Sequence, residues 1–242
     1  MNLVIDAGNT LVKTAVYDGA DLIIAETHPG WSAEAIVSTL NRFPEIRSSL
    51  ICSTREVPAW LPEMIRRKNI PFHELTHMLP LPVTLAYETP ETLGNDRIAA
   101  AAGAAARFPG RNVVAIDAGT ALTIDLISEK GVFVGGNISP GMRMRFSALH
   151  QQTYSLPEIE PSETVPLIGK NTHDAILAGV VNGLIYEIDN SINSLKNKYN
   201  DLQVIMTGGD APYLSGRLKN TIFVEENLVL SGLNAILRNF SL

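Results

Sequence analysis

Two α/β halves, each a β-sheet layered with helices, are what the pattern of this chain predicts, on three observations. First, the run Leu3-Val4-Ile5-Asp6-Ala7-Gly8-Asn9-Thr10 returns in outline as Val114-Ala115-Ile116-Asp117-Ala118-Gly119-Thr120-Ala121, offset by 111 residues. Second, each copy continues through an alternating segment and a Gly turn (Asp18-Gly19, Lys130-Gly131) into a further strand, the mark of a β-hairpin. Third, the apolar period changes after the first hairpin to that of helices, and strands alternating with helices build α/β layers. A repeat at this spacing suggests duplication, with domains expected at 1–110 and 111–242.

The elements follow in order. Ser32 to Arg42 reads as a helix capped by Ser32, with Glu34 in its opening turn. Leu50-Ile51-Cys52-Ser53 is a short apolar run that suits a buried strand. Pro62 suits the first position of a helix to Lys68, and Arg66-Arg67-Lys68 reads as its solvated end. Pro71 to Pro90 is expected to be a crossing loop, and Asn95 to Phe108 an Ala-rich helix. A further helix is expected to start after Pro140-Gly141. Thr172 to Leu195 is a long helix with Ile176, Val180, Leu184, Ile188 and Ile192 on one face. That face suits either the domain's own sheet or a subunit interface. Val204 to Thr207 is a strand running into Gly208-Gly209-Asp210, and Leu228 to Phe240 is a final helix.

Composition narrows the function. A net charge of −6, with the 19 basic residues spread out, argues against a partner in nucleic acid, which demands clustered Lys and Arg. With Cys52 the single cysteine, an internal disulfide and a multi-thiolate metal site are excluded. The apolar run Ile98 to Ala106 is far shorter than the roughly 20 residues of a membrane span. Met1 to Asp6 has no basic region before an apolar stretch, so no signal peptide is read there, and a cytoplasmic protein without a membrane partner is expected.

The chemistry concentrates in the repeated loops. In Asp6-Ala7-Gly8-Asn9-Thr10-Leu11-Val12-Lys13, Gly8 permits a tight turn and close approach of a ligand. Backbone amides and the Thr10 hydroxyl can wrap phosphate oxygens, with Lys13 as a nearby cation. Asp6 would repel phosphate unless Mg²⁺ lay between them. Asp117 and Thr120 offer a second such loop, and Thr207-Gly208-Gly209-Asp210-Ala211 a third Gly-rich turn. The P-loop pattern is absent. His73-Glu74-Leu75-Thr76-His77 matches a zinc-protease motif that needs a helix, but Pro71, Pro80 and Pro82 crowd it, so it reads as chance. His28, His150 and His173 stand apart as surface or loop residues.

The two loops and the late Thr-Gly-Gly-Asp-Ala resemble the phosphate and adenosine motifs of the acetate and sugar kinase, actin and heat-shock chaperone superfamily. Tyr87, Gly94-Asn95-Asp96-Arg97, Gly135-Gly136-Asn137-Ile138-Ser139-Pro140-Gly141, Gly169-Lys170-Asn171-Thr172 and Leu230-Ser231-Gly232-Leu233 are similar to one branch, the type III pantothenate kinases. Asn95 stands where that branch more often has a small or apolar residue.

The resemblance implies two ribonuclease-H-like, actin-like ATPase domains with a nucleotide cleft. It also implies ATP-dependent phosphorylation of pantothenate to 4'-phosphopantothenate, the first step of coenzyme A biosynthesis, by a homodimer. Carried onto this sequence, Asp96 is the general base, in the first turn of a helix where the macrodipole favours a carboxylate. Tyr87, Gly94, Asn95, Asp96, Arg97 and Thr172 contact pantothenate. Asp6, Ala7, Gly8, Asn9, Thr10, Leu11, Val12, Lys13 and Thr120 hold ATP, Asp6 with Mg²⁺, and Asp117 binds a monovalent cation, K⁺ or NH₄⁺. Ordinary roles compete at several positions: Asp96 as a dipole-complementing acid, Arg97 as a surface residue, Thr172 as the cap of the long helix. Rival activities are phosphorylation of another small acid or sugar, an accessory role in transcription, and zinc hydrolysis.

Overall fold

The computed structural model describes residues 1–240. In chain order the elements are β1 (Asn2–Ala7), β2 (Val12–Asp18), β3 (Asp21–His28), α1 (Ala33–Arg42), β4 (Ser48–Ser53), α2 (Trp60–Arg66), β5 (Phe72–Glu74) and β6 (Thr84–Leu85). After a 3₁₀ turn at Pro90–Thr92 come α3 (Asn95–Arg107), β7 (Val113–Ala118), β8 (Ala121–Ile127), β9 (Val132–Pro140), α4 (Met142–Gln151) and α5 (Thr172–Lys196). β10 (Gln203–Thr207), α6 (Ala211–Ser215), β11 (Phe223–Val224) and α7 (Leu228–Phe240) complete the set. The chain forms two compact units, one of residues 1–110, 131–134 and 227–240, the other of 111–130 and 135–226.

In the first unit the sheet order is β3-β2-β1-β4-β5, with β1 antiparallel to β2, β2 antiparallel to β3, and β1, β4 and β5 parallel. In the second, β9-β8-β7-β10-β11 repeats that order, with β7 antiparallel to β8 and parallel to β10. The sequence repeat is therefore a repeat of topology. Asp6 and Asp117 hold the same place in it, each next to last on the central strand.

Helices cover each sheet, and the first sheet is buried on both faces, one under α1 and α2 and the other, with Val4, Ala15 and Leu50, under α3 and α7. In the first unit Leu3, Ile5, Ala7, Val12 and Val16 pack with Ile36, Leu40, Leu61 and Ile65. In the second, Val114, Ile116, Leu122 and Ile124 pack with Ile176, Val180, Leu184, Ile188 and Ile192. The apolar face of α5 is thus core of its own unit, which removes it as a subunit interface.

The last helix belongs to the first unit. α7 crosses α3 where both carry glycine: a Cβ on Gly232 would lie 1.8 Å from the Ala99 carbonyl oxygen, and one on Gly103 would lie 2.5 Å from that of Leu228. Backbone-to-backbone approach this close demands the Ala and Gly of α3. Buried Asn234 of α7 accepts from Asn2 Nδ2 (2.9 Å) and donates to the Gly19 carbonyl (2.9 Å), tying α7 to β1 and to the β2–β3 turn.

Several local expectations need correction. α2 starts at Trp60 and Pro62 is its third residue, tolerated because first-turn amides have no intrahelical acceptor. The cap of α5 is Asn171, whose side-chain oxygen accepts from the Asp174 amide at 2.8 Å, and Thr172 is the first helical residue. The segment expected to be a crossing loop holds β5 and β6. His73 and Glu74 are strand residues of β5, so the helix that the zinc motif requires is not formed there. Instead the His73 ring meets Phe240 edge-on at 5.4 Å. Ser32 caps α1 as expected, accepting from the Ala35 amide at 3.2 Å.

Candidate active site

In the first unit, β1 and β2 are joined by a turn that the Gly8 amide closes on the Leu11 carbonyl (3.0 Å), and Asp6 stands opposite Lys13 in the register. Asn9, Thr10 and Leu11 are exposed at the tip, whereas Ala7 and Val12 are buried, so the last two can meet a ligand only through backbone. A Cβ at Gly8 would have the Leu11 carbonyl oxygen, at 3.7 Å, as its nearest neighbour. The protein's own packing therefore does not require glycine there.

β4 runs parallel to β1, and the residues that follow it cradle this turn. The Thr54 amide and hydroxyl donate to the Ala7 carbonyl (3.0 and 3.2 Å), and the same hydroxyl reaches Asn9 Oδ1 at 3.3 Å. The Arg55 guanidinium donates to the Gly8 carbonyl, and Ser53 Oγ closes the local turn on Arg55. Sequence reasoning passed over Thr54 and Arg55. The available signal was positional, since loops after adjacent parallel strands meet at their carboxyl ends.

Asp96 is the second residue of α3, and its Oδ1 accepts from the Arg97 amide at 2.8 Å. A Cβ at Gly94 would lie 2.5 Å from that oxygen, so Gly94 makes the room the carboxylate occupies. Cys52 pairs in register with Asp6, and burial, then Asp6, then Asp96 push its thiol well above the ordinary pKa.

Beside Asp96, Arg97 is only 5% exposed, not a surface residue. Its guanidinium carbon is 5.7 Å from the Tyr87 ring centroid and 5.6 Å from that of Phe133. Asn95 opens the helix, half-buried.

The second unit gathers a further set. A Cβ on Gly119 would approach Asp117 Oδ1 to 3.2 Å, and one on Gly208, at φ +96°, to 2.5 Å. The Asp210 amide donates to the Ala118 carbonyl (2.9 Å) and the Gly141 amide to the Thr120 carbonyl (3.1 Å). The repeated loop, the Gly141 turn and the Gly208-Gly209-Asp210 turn thus meet around Asp117, with Thr120 exposed. Burial pushes the Asp210 carboxyl up, and Arg143 pulls it part of the way back. Thr172 is carried separately, exposed at the start of α5, whose first turn packs on Gly169.

Among the described residues no three His, Cys, Asp or Glu side chains gather into a metal cage. Mg²⁺ does not require one, because one or two carboxylates with substrate phosphates and water suffice. Asp6, half-buried at the end of β1 beside the open turn, fits that mode of binding.

Comparison with known proteins gives this arrangement a family. The model of the type III pantothenate kinase family matches residues 2–194. The chain belongs to this family. A type III pantothenate kinase from Christiangramia forsetii is 43% identical over 238 residues, covering 98% of each chain. Among solved structures, one described as a Baf family transcriptional activator from Campylobacter jejuni superposes with TM-score 0.59 at 23% identity, over 99% of this chain and 98% of that one. A glucokinase from an Antarctic psychrotroph superposes with TM-score 0.55 at 12% identity, over 98% of each. At such identities these two speak for the fold alone, the two-domain architecture of the actin-like sugar kinases. The segments whose sequence resembles motifs of that family lie on the units described above: Asp6 to Lys13 and Gly94 to Arg97 on the first, Asp117 to Thr120 and Thr172 on the second.

Proposed function

We propose that this chain transfers the γ-phosphoryl group of ATP to the primary hydroxyl of pantothenate, giving 4'-phosphopantothenate and ADP, the first step of coenzyme A biosynthesis. Family membership supports the reaction, and one arrangement supports the residues: Asp6 pairs in register with Cys52 of β4, and both Asp6 and Asp96 add to the rise in the pKa of that buried thiol, which supports placing phosphate turn and base in one site.

Asp96 takes the proton from the substrate hydroxyl as its oxygen bonds to the γ-phosphorus, and the bond to the β–γ bridging oxygen breaks. With a loose transition state, positioning outweighs basicity, so an ionised carboxylate at a helix start serves. Ala7 to Val12 offer backbone groups and the Thr10 hydroxyl to phosphate oxygens, and Lys13 supplies charge. The space at Gly8 supports close approach there. Asp6 would hold Mg²⁺, which when bound neutralises charge on the phosphates. Thr120 completes the ATP contacts and Asp117 would hold K⁺ or NH₄⁺. Tyr87, Gly94, Asn95, Arg97 and Thr172 are assigned to pantothenate.

The protein acts as a homodimer in this reading. The core-facing side of α5 is spent, but its outward side carries Ala175, Gly179 and Gly183 four residues apart, with Tyr186 49% exposed. Small residues at that spacing let two helices approach closely. The exposed side chains of Ile138, Leu167 and Ile168 extend the patch, since β9 joins α5 through Ser139 and Glu187 (2.6 Å) and Asn182 holds the Pro166 carbonyl (3.0 Å). Among the described residues no helix is long and apolar enough to cross a membrane. The division near residue 110 is kept, with residues 227–240 assigned to the first unit rather than to a domain of 111–242, and a cytoplasmic location completes the proposal.

The test is purified protein with ATP, Mg²⁺, K⁺ and pantothenate, read by mass for phosphopantothenate. Product that needs all of these upholds the reading; ATP turnover indifferent to pantothenate, or none, overturns it.

A further inference from the structure

Tyr87 and Arg97 arrive from different segments, one from the stretch after β6 and the other from the first turn of α3. Phe133 touches both: it is fully buried on β9, and its ring meets the Tyr87 ring edge-on with centroids 6.0 Å apart. Its centroid is also 5.6 Å from the Arg97 guanidinium carbon. Its carbonyl accepts the Ala86 amide at 3.0 Å, so the residue preceding Tyr87 is tied to the same point by backbone. With Arg97 to Tyr87 at 5.7 Å, the three side chains close a triangle in which each touches the other two.

We propose that Phe133 is a positioning residue for pantothenate recognition, fixing Tyr87 and Arg97 in the arrangement that meets the substrate; this rests on the reading given under Proposed function. The physical basis is threefold. Ring faces attract a guanidinium through the quadrupole, strongly enough to orient it when water is largely excluded. Edge-to-face geometry fixes the Tyr87 ring relative to Phe133 rather than merely burying it. Contacts ordered before substrate arrives lower the cost of binding, so losing them is felt in affinity for that substrate. Phe133 reaches no substrate atom itself and acts through its two partners. The ATP loop at Asp6 to Lys13 is carried by other elements, so nucleotide affinity is independent of it.

The experiment compares Phe133→Leu and Phe133→Met with wild-type protein, measuring KM for pantothenate, KM for ATP and kcat. The expected result is a rise of about tenfold in KM for pantothenate, with KM for ATP and kcat within about threefold, the pattern of lost substrate binding. Each change is then repeated in a Tyr87→Leu background, where it should raise KM much less, because contacting residues are non-additive. Met keeps most of the volume, so if Leu does not fold the same split is read from Met. Equal rises in both KM values, an unchanged KM for pantothenate, or full additivity with Tyr87→Leu would overturn the proposal, as would failure of both variants to fold, which marks Phe133 as a core residue only. A wild-type protein inactive on pantothenate overturns the underlying reading, and this inference with it.

Discussion

Cys52 stands opposite Asp6 in the parallel register of β1 and β4, its thiol buried against the carboxylate side of the site. Because burial, Asp6 and Asp96 all favour the neutral thiol, native protein at pH 8 should react with iodoacetamide far more slowly than unfolded protein. The linkage has a definite sign. The folded pKa lies above the ordinary 9.0, so the folded state keeps a proton that the unfolded chain loses. Its contribution to stability is whole below pH 9 and is lost as pH rises through the folded value. Urea unfolding at pH 7 and pH 10 should show a loss that Cys52→Ser reduces; equal losses in both proteins would refute this.

Asp96→Asn keeps shape and removes the proton acceptor. A fall in kcat of about a hundredfold or more is expected, with nucleotide affinity nearly unchanged. Steady-state kinetics with calorimetric ADP binding checks both halves, and near-normal turnover would remove Asp96 from the base role.

Gly232→Ala places a methyl where the Ala99 carbonyl already is, 1.8 Å away. α7 must then withdraw from α3, at a cost of about 3 kcal/mol, the upper range of overpacking. Chemical denaturation measures it. Since α3 also carries Asp96, activity should fall more than the loss of folded protein explains.

Replacing K⁺ by Na⁺ should lower turnover severalfold, and Asp117→Asn should remove the difference. Equal rates of the wild-type enzyme in the two salts would count against a cation role for Asp117.

Gly179→Arg puts a long charged side chain on the outward side of α5. Light scattering should then give half the wild-type mass, with the fold intact by circular dichroism. An unchanged mass would place the interface elsewhere.

What the residues disclosed and what they hid have separate physical causes. The hairpins, the hydrophobic face of α5 and the Ala-rich α3 are local, written in periods of two or four residues, and each was legible. The repeat foretold duplicated halves, and Asp6 and Asp117 mark one position of the topology they share, but the strand order itself was not read. The partners of α7 were not legible, since Gly232 says only that something comes close and Ala99 lies far away in sequence. Arg97 was assigned to substrate with a surface position as the competing role; its burial was not legible because it depends on Tyr87 and Phe133, brought from two other segments. Thr54 and Arg55 carry no motif of their own; they matter only because β4 lies beside β1. The Asn171 cap was missed for a smaller reason, Thr172 being an equally good capping type one residue on.

The crossing of α3 and α7 also orders events during synthesis. Residues 111–226 hold the whole of the second unit, so it can become native while the chain still emerges from the ribosome. The first unit, although made first, leaves the small-residue face of α3 bare until residues 227–240 are released. A nascent chain stalled before that point would carry a finished later half and an unfinished earlier one, the state in which chaperones would find it.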